Sequence, residues 1–245
     1  MIQNRREIEL GKETHTRLST SNHDRHELYH SGSDRSKSAG VHTGREADRA
    51  EDPVAMTLTA VLIAGGESRR MGRDKATLMI EGKPLWSRQL DTLRGLQPDQ
   101  ILVSSRSRPI WSPAEIGVVL DEPPSRGPLS GISAALKNIQ STHLLALAID
   151  LPEMTTEHLL QLWWLAKPGI GVIPRWCDSY EPMAAIYPAE AAFVAQDALE
   201  AGRLSLQSLV ERLLERNLVW IHPIDDDDRH LYHNVNSPAD LTWGN

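Results

Sequence analysis

The sequence predicts an α/β fold, a three-layer sandwich in which helices cover both faces of a mostly parallel sheet. From Thr59 onward, short apolar runs alternate with longer segments of helical periodicity, which is the pattern that such sheets produce. The first run, residues 59–64, is apolar and β-rich enough for a parallel strand buried on both faces. A third observation is that glycine or aspartate follows several of these runs, where ligands bind in open α/β sheets.

Each element is predicted from its own residues, in chain order. Apolar runs bounded by turn-forming residues predict the strands, and apolar residues at helical spacing predict the helices. The predicted strands are residues 59–64, 100–104, 117–120, 144–149, 169–173 and 183–187. The predicted helices are residues 85–96, 129–139, 156–166, 189–201 and 205–216.

The N-terminal part of the chain differs in composition from the rest. Up to about Pro53 it has few large apolar residues, many polar and charged ones, and no strand or helix periodicity. Such a segment cannot bury a core. We therefore expect residues 1–55 to form a disordered N-terminal extension and residues 56–245 to form one folded domain.

The overall composition limits the classes of partner and compartment. The 245 residues carry a formal net charge of −7, which argues against a broad basic surface for nucleic acid. No apolar stretch approaches the roughly 18 residues of a membrane span. The single cysteine, Cys177, excludes an internal disulfide and suits a reducing compartment. We expect a soluble, cytoplasmic protein that binds neither nucleic acid nor membranes.

The segment after the first predicted strand has the features of a phosphate-binding loop. Gly65 and Gly66 allow the backbone to approach a ligand, and backbone N–H groups in such a turn attract anions. Full positive charges follow at Arg69, Arg70, Arg73 and Lys75. The spacing fits neither a Walker A loop nor the dinucleotide-binding Gly-x-Gly-x-x-Gly pattern.

Two further predicted strands end in aspartates. Asp121 follows the third strand, and Asp150 follows the fourth. A carboxylate held at the end of a buried strand is suited to bind Mg²⁺ on a nucleoside triphosphate. The alternative is that Asp150 caps the next helix, but Thr155 or Thr156 lies closer to that helix and can cap it. We therefore favour the metal-binding interpretation.

Two other segments carry weaker signals. Gly127 and Pro128 open a predicted helix, and the exposed N–H groups of a helix start favour an anion or a ligand carbonyl. Asn234 and Asn236 can both donate and accept hydrogen bonds near the C-terminus. The alternative for this second segment is that it simply leads into a terminal helix.

The glycine-rich segment closely resembles the signature of the molybdenum cofactor guanylyltransferases, nucleotidyltransferases that make the dinucleotide form of that cofactor. Their pattern is Leu-x-Ala-Gly-Gly-x-Ser-x-Arg-Met-Gly-x-Asp-Lys, and it falls on residues 62–75. Three more family motifs follow in the family's order, at residues 127–131, 150–152 and 234–241. The resemblance therefore extends over about residues 58–241.

The resemblance implies a Rossmann-like fold of the nucleotidyltransferase type for residues 56–245. It implies transfer of GMP from GTP to molybdopterin cofactor, with release of pyrophosphate and with Mg²⁺ as the cofactor. It leaves molybdoenzyme apoproteins or their chaperones open as further partners.

The resemblance also implies roles for individual residues. Lys75, Arg70 and Asp150 would be catalytic, and Asp150 would also bind the metal. The nucleotide would contact Leu62, Ile63, Ala64, Gly65, Gly66, Lys75, Ser105, Asp121, Gly127 and Pro128. The pterin substrate would contact Glu181, Asn234 and Asn236.

Several alternatives stay open at this point. Ser105 stands where the family commonly has an asparagine that contacts guanine, and a hydroxyl offers fewer hydrogen bonds than an amide. A cytidylyltransferase acting on the same pterin, or a sugar-phosphate nucleotidyltransferase, is therefore an alternative. A non-catalytic accessory module that binds nucleotide is another, although the presence of both Lys75 and Asp150 favours an enzyme.

The sequence also contains polar residues without an assigned role. The acidic run 225–228 is expected to form a solvated loop, because adjacent like charges repel each other. His222, His230 and His233 lack the spacing of a zinc site and are left unassigned.

Overall fold

A mixed, mostly parallel sheet and its covering helices make up the part of the chain that the computed structural model describes, residues 55–65, 74–121 and 126–235. The strands are β1 (Leu58–Ile63), β2 (Met79–Ile80), β3 (Lys83–Pro84), β4 (Gln100–Ser105), β5 (Gly117–Leu120), β6 (His143–Ala148), β7 (Gly171–Trp176), β8 (Ser179–Tyr180), β9 (Ala184–Pro188) and β10 (Val219–Pro223). The α-helices are α1 (Leu85–Gly95), α2 (Pro128–Asn138), α3 (Thr156–Leu165), α4 (Ala191–Glu200) and α5 (Leu206–Glu215). Two 3₁₀ helices span Lys75–Thr77 and Asp226–Tyr232.

Several predicted features lie outside the described residues. The N-terminal extension does so except for Ala55, and its disorder stays a prediction. The same holds for three predicted site residues, Gly66, Arg70 and Asn236.

The main sheet has the strand order β10-β7-β9-β6-β1-β4-β5, and β8 pairs with β7. β1 lies between β4 and β6 and runs parallel to both. β9 is antiparallel to its neighbours β6 and β7, so its first residues lie at the edge where β6 ends. β2 and β3 form a separate two-stranded antiparallel sheet.

Alternate residues of β1 face the two layers of helices. Ala60 and Leu62 belong to a core cluster that includes apolar residues of α1 and α3. Val61 and Ile63 belong to a second cluster, which includes residues of α2, α4 and α5. All six residues of β1 are buried, as a central parallel strand requires. The predicted three-layer sandwich is therefore confirmed.

The predicted elements correspond closely to those of the structure. All six predicted strands and five predicted helices are present, with bounds that shift by a few residues. The largest shift is in β7, which continues through Pro174 to Trp176. β10 was not predicted; it is a partly buried strand whose position is defined by its parallel pairing with β7. The short strands β2, β3 and β8 were not predicted either.

The prediction of a solvated loop for the acidic run 225–228 is only partly correct. Asp225, Asp226 and Asp227 are exposed, as a solvated segment should be, but the run begins a 3₁₀ helix rather than lying in a loop. Asp228 is half-buried, and its Oδ2 lies 3.4 Å from Nδ1 of the buried His158. Among the described helices, none is long and apolar enough to cross a membrane.

The close approach of β7 to β9 gives a test of this sheet. A Cβ on Gly171 would overlap the carbonyl oxygen of Ile186 in β9, so alanine at that position must push backbone against backbone. We expect Gly171→Ala to lower the free energy of unfolding by about 3 kcal/mol or more, measured by urea denaturation.

Gly82→Ala is the matched control. Gly82 has a positive φ of 78°, but no atom lies within 4 Å of its added Cβ. Its substitution should therefore cost only about 1 kcal/mol of backbone strain. Equal losses in the two variants would contradict the described packing of β7 against β9.

Candidate active site

The carboxyl ends of β1, β4, β5 and β6 lie at one edge of the sheet because these strands are parallel. Backbone hydrogen bonds continue beyond the strands themselves: Ala64 N donates to Ser104 O at 2.8 Å, and Ile149 N donates to Ile63 O at 3.1 Å. Asp121 N donates to Ser105 O at 3.0 Å. The residues that follow these strands therefore emerge at the same edge of the sheet.

Asp121 lies directly beside the start of the glycine loop. A Cβ built on Gly65 would lie 3.1 Å from Asp121 Oδ2, which is tighter than an ordinary contact. The buried Ser104 donates from Oγ to Asp121 Oδ1 at 3.1 Å. On the α2 side, a Cβ on Gly131 would lie 2.7 Å from that same Ser104 Oγ. Small residues thus let the first turn of α2 and the end of β1 approach Asp121 closely.

Sequence reasoning did not single out Ser104. Its position in an apolar strand, directly before the candidate Ser105, was the only available signal. Ser105 itself is 5% exposed and donates its hydroxyl proton to Ser107 O at 2.7 Å. Any contact of the Ser105 side chain with a nucleotide base must therefore use the remaining acceptor capacity of its oxygen.

Gly127 and Pro128 open α2, as predicted. Gly127 has φ 80° and ψ −164°, a conformation that only glycine adopts readily, and Pro128 occupies the first turn. The hydroxyl of Ser130 accepts a hydrogen bond from Arg126 N at 2.8 Å. The start of α2 therefore has a defined backbone geometry, and a helix N-terminus of this kind favours an anion or a ligand carbonyl.

Lys75 and Asp150, predicted as catalytic residues, contact each other. Lys75 Nζ lies 3.0 Å from Asp150 Oδ2, and the side chains are 17% and 28% exposed. Lys75 begins a 3₁₀ helix that Asp74 caps by accepting a hydrogen bond from Ala76 N at 3.0 Å. The other carboxylate oxygen of Asp74 accepts from Trp111 Nε1 at 2.8 Å. Lys75 is thus placed by a fixed turn.

The backbone after Asp150 is held by α1 and by the C-terminal segment. Gln89, which is fully buried, donates from Nε2 to Leu151 O at 2.6 Å. Arg88 Nε donates to Pro152 O at 2.9 Å, and Val235 N donates to the carbonyl of Asp150 at 2.9 Å.

The cap of α3 is Thr155. Its Oγ1 accepts a hydrogen bond from His158 N at 3.2 Å. The expectation that a threonine, rather than Asp150, caps this helix is confirmed. The carboxylate of Asp150 is therefore not used as a helix cap.

Glu181 and Asn234, two of the residues predicted to contact a pterin, lie on two other segments near Asp150. Glu181 precedes the antiparallel strand β9, and Ala148 N at the end of β6 donates to Met183 O at 2.7 Å. Burial raises the pKa of the half-buried Glu181 above its usual value. Asn234 is exposed and immediately precedes Val235, which binds the Asp150 carbonyl.

Asp150 is the residue best placed to contribute a metal ligand. Among residues 55–65, 74–121 and 126–235 there is no group of three or more histidine, cysteine or acidic side chains that could hold a metal ion. A hard cation such as Mg²⁺ does not need one, because it keeps several waters and binds one or two carboxylates together with substrate phosphates. The part-exposed carboxylate of Asp150 fits such a site.

A mostly parallel sheet with a glycine, a Lys–Asp pair and a helix N-terminus at its carboxyl edge is typical of α/β proteins that bind phosphorylated ligands. Comparison of the sequence with protein families gives the particular class. The chain belongs to the family of the MobA-like NTP transferase domain, which matches residues 60–217. It is therefore a nucleotidyltransferase.

Individual relatives agree with this family. The chain is 34% identical over 189 residues to a probable molybdenum cofactor guanylyltransferase of Opitutus terrae, covering 76% of this chain and 94% of the relative. It is 32% identical over 157 residues to a molybdenum cofactor guanylyltransferase of Syntrophotalea carbinolica, covering 63% and 74%. The crystal structure of molybdopterin-guanine dinucleotide biosynthesis protein A from Archaeoglobus fulgidus superimposes with a TM-score of 0.60 at 27% identity, covering 75% and 94%.

The contact of Gly65 with Asp121 predicts the effect of a small substitution. In Gly65→Ala the added methyl group must displace Asp121 or the backbone by a few tenths of an ångström. We expect nucleoside triphosphate to bind at least about tenfold more weakly, measured by isothermal titration calorimetry. Gly82→Ala, on the β2–β3 turn, is the control and should bind normally. Equal affinities of the two variants would contradict a close approach of ligand at Gly65.

Proposed function

We propose that this protein transfers GMP from GTP to molybdopterin cofactor and releases pyrophosphate. The observation that carries this proposal is the Lys75–Asp150 pair at the carboxyl edge of the sheet, 3.0 Å between Nζ and Oδ2. It occurs in a chain that is 34% identical to a probable molybdenum cofactor guanylyltransferase. An enzyme of this class needs a positively charged side chain that contacts the phosphates and, close to it, a carboxylate that binds a metal. This pair would supply both.

The chemistry is an in-line displacement at the α-phosphorus of GTP. An oxygen of the terminal phosphate of molybdopterin attacks, a new P–O bond forms, and the bond to the bridging oxygen of pyrophosphate breaks. Pyrophosphate leaves with the electron pair of that bond. Because a phosphate monoester is largely ionised near neutral pH, the attacking oxygen needs no strong general base. Catalysis then depends on positioning and on neutralising charge.

The residues at the sheet edge would divide these tasks. Gly65 would let the backbone approach the nucleotide, and the N-terminus of α2 would attract its negative charge. Lys75 moves its contact from Asp150 to the phosphates of the bound nucleotide. Arg70 and Gly66, which the sequence motif adds, would extend the phosphate contacts from the same loop. Asp121 and Ser105 line the side of the site where the sugar and base would lie.

Asp150 would hold Mg²⁺ in the complex with GTP. The metal would neutralise charge on the triphosphate, while waters and phosphate oxygens complete its coordination. The chain itself would position the carboxylate, because the bonds from Gln89 to Leu151 O and from Val235 to Asp150 O hold the backbone at and directly after Asp150.

Glu181, Asn234 and Asn236 would contact the pterin substrate. Asn234 lies in the segment attached to the Asp150 carbonyl, and Glu181 precedes the strand that begins at this edge. Further partners would be molybdoenzyme apoproteins or their chaperones. We place the reaction in the cytoplasm, since the single cysteine, Cys177, is exposed and suits a reducing compartment.

Removing either member of the pair should abolish most of the activity. We expect Lys75→Ala and Asp150→Asn each to lower kcat by about 100-fold or more, because each loses a group that stabilises charge in the transition state. The melting temperature should change little, since both side chains are part-exposed.

A second Lys–Asp pair provides the control. Lys83 and Asp91 also form an ion pair, but both are exposed on the β3–α1 side of the protein. Lys83→Ala and Asp91→Asn should keep wild-type turnover. Unchanged activity in the Lys75 or Asp150 variants would refute their assignment.

The identity of the base is tested by pyrophosphate release with Mg²⁺ and molybdopterin cofactor, comparing GTP, CTP and ATP. Selective release from GTP supports the guanylyltransferase and shows that Ser105 is compatible with guanine. Selective release from CTP would instead indicate a cytidylyltransferase that uses the same site. Tight nucleotide binding without release from any of the three would indicate a non-catalytic accessory module instead.

A further inference from the structure

A buried polar contact joins the C-terminal segment to α3. The hydroxyl oxygen of Tyr232 lies 2.6 Å from Nε2 of His158, and the two residues are 8% and 3% exposed. Their rings pack edge to face, with centroids 5.4 Å apart and planes at 85°. On the other side of the imidazole, Asp228 Oδ2 lies 3.4 Å from Nδ1.

The protonation states follow from the surroundings. Burial, and then the charges of Glu181 and Asp228, raise the pKa of Tyr232 above its usual range, so the phenol stays protonated. Burial lowers the pKa of His158, an effect that Asp228 opposes and that His222 and His230 reinforce. A protonated phenol thus faces a neutral imidazole, and a hydrogen bond can join them in either tautomer of His158.

The contact fixes one end of a short segment whose other end is fixed by the Asp150 loop. Three residues after Tyr232, Val235 N donates to the carbonyl of Asp150 at 2.9 Å. Only His233 and Asn234 lie between these anchors, and both are exposed. Because a chain of three residues spans at most about 10 Å, the two anchors leave its backbone little freedom.

The anchor on α3 is itself tied to the Asp150 loop. His158 is in the first turn of α3, and its N–H is bonded to the cap residue Thr155. Leu151 O accepts from Met154 N at 3.1 Å, so the turn between Asp150 and α3 is hydrogen-bonded as well. Residues 232–235 are thus attached twice to one structural unit, which carries the catalytic carboxylate.

The chemistry of this contact suits positioning better than stability. Two apolar side chains would fill the same space without the cost of burying three polar atoms. A 2.6 Å hydrogen bond is directional, so it fixes the position of Tyr232 along α3. It therefore also fixes the position of Asn234 relative to Asp150.

We propose that Tyr232 and His158 are positioning residues for the second substrate: they hold the segment 232–235 so that Asn234 faces the pterin beside Asp150. The proposal rests on the proposed function. Asp228, the last residue of the acidic run, supports the imidazole mainly through its charge, because 3.4 Å is long for a hydrogen bond.

The central test is Tyr232→Phe, which removes the hydroxyl and keeps the ring contact with His158. We expect the dissociation constant for molybdopterin, measured by calorimetry, and its KM to rise by about tenfold. The dissociation constant for GTP and the kcat at saturating pterin should stay within about twofold of wild type. Backbone amide exchange of the peptide containing residues 232–235 should become faster.

Three comparisons complete the test. Trp220→Phe removes an indole hydrogen bond to Leu165 O at the other end of α3, so it controls for lost stability and should leave pterin binding unchanged. Asp228→Asn should weaken pterin binding by about threefold. Its control, Asp226→Asn at an exposed position, should leave pterin binding unchanged. In the double variant Tyr232→Phe with Asn234→Ala, the loss of pterin-binding free energy should be smaller than the sum of the two single losses. The reason is that a misplaced Asn234 already contributes little to binding.

The possible results separate this inference from the proposed function. Faster amide exchange in Tyr232→Phe with unchanged pterin affinity would overturn the positioning role, as would equal losses in Trp220→Phe. If the wild-type protein binds molybdopterin but forms no dinucleotide, the proposed function fails, whereas the positioning role is still decided by the dissociation constants. If it does not bind molybdopterin at all, both fail.

Discussion

The parallel pairing of β1 with β4 on one side and β6 on the other is the constraint on which the rest of the structure depends. Ile63 lies opposite Ser104 of β4 and Ala148 of β6, so all three strands end at nearly the same level. The residues that leave these strands must then emerge together. Gly65, Ser105 and Asp150 share one edge for this reason.

The single reversed strand of the main path, β9, adds residues that a purely parallel sheet would have placed elsewhere. Because β9 is antiparallel to β6, its first residue, Ala184, pairs with Leu147 near the end of that strand. Glu181 consequently lies on the same side as Asp150. The C-terminal segment reaches this edge by a different route, through the bonds of Tyr232 to His158 and of Val235 to Asp150 O. The phosphate side and the pterin side of the proposed site thus depend on separate parts of the sheet.

The ion pair between Lys75 and Asp150 joins the two charged groups on which the proposed reaction depends. Partly exposed pairs of this kind contribute little to stability, about 0–1 kcal/mol, so folding alone does not explain the arrangement. Each group instead keeps the other neutralised and correctly placed. In the proposed complex, Asp150 would hold the metal and Lys75 would contact the phosphate oxygens.

The sequence by itself determined the fold class, the order of the main elements and most of the candidate site. Continuous apolar runs of strand length, such as that of β6, are typical of strands buried on both faces, and chain connectivity places the residues directly after them at the carboxyl edge of the sheet. For this reason Gly65, Asp121 and Asp150 could be assigned without a structure. Their precise roles stay proposals, because the motif names residue types and not contacts.

Only the tertiary structure decided which groups are already engaged and which distant segments meet. Asp74 binds Trp111, and Gln89 holds the Asp150 loop; neither pair has a sequence spacing that would reveal it. The same is true of β10, whose residues form a strand because β7 offers an open edge. His158 and Tyr232, 74 positions apart, became partners because α3 and the last 3₁₀ helix pack together. Pairings of this kind are set by packing across the fold, where local sequence carries no signal.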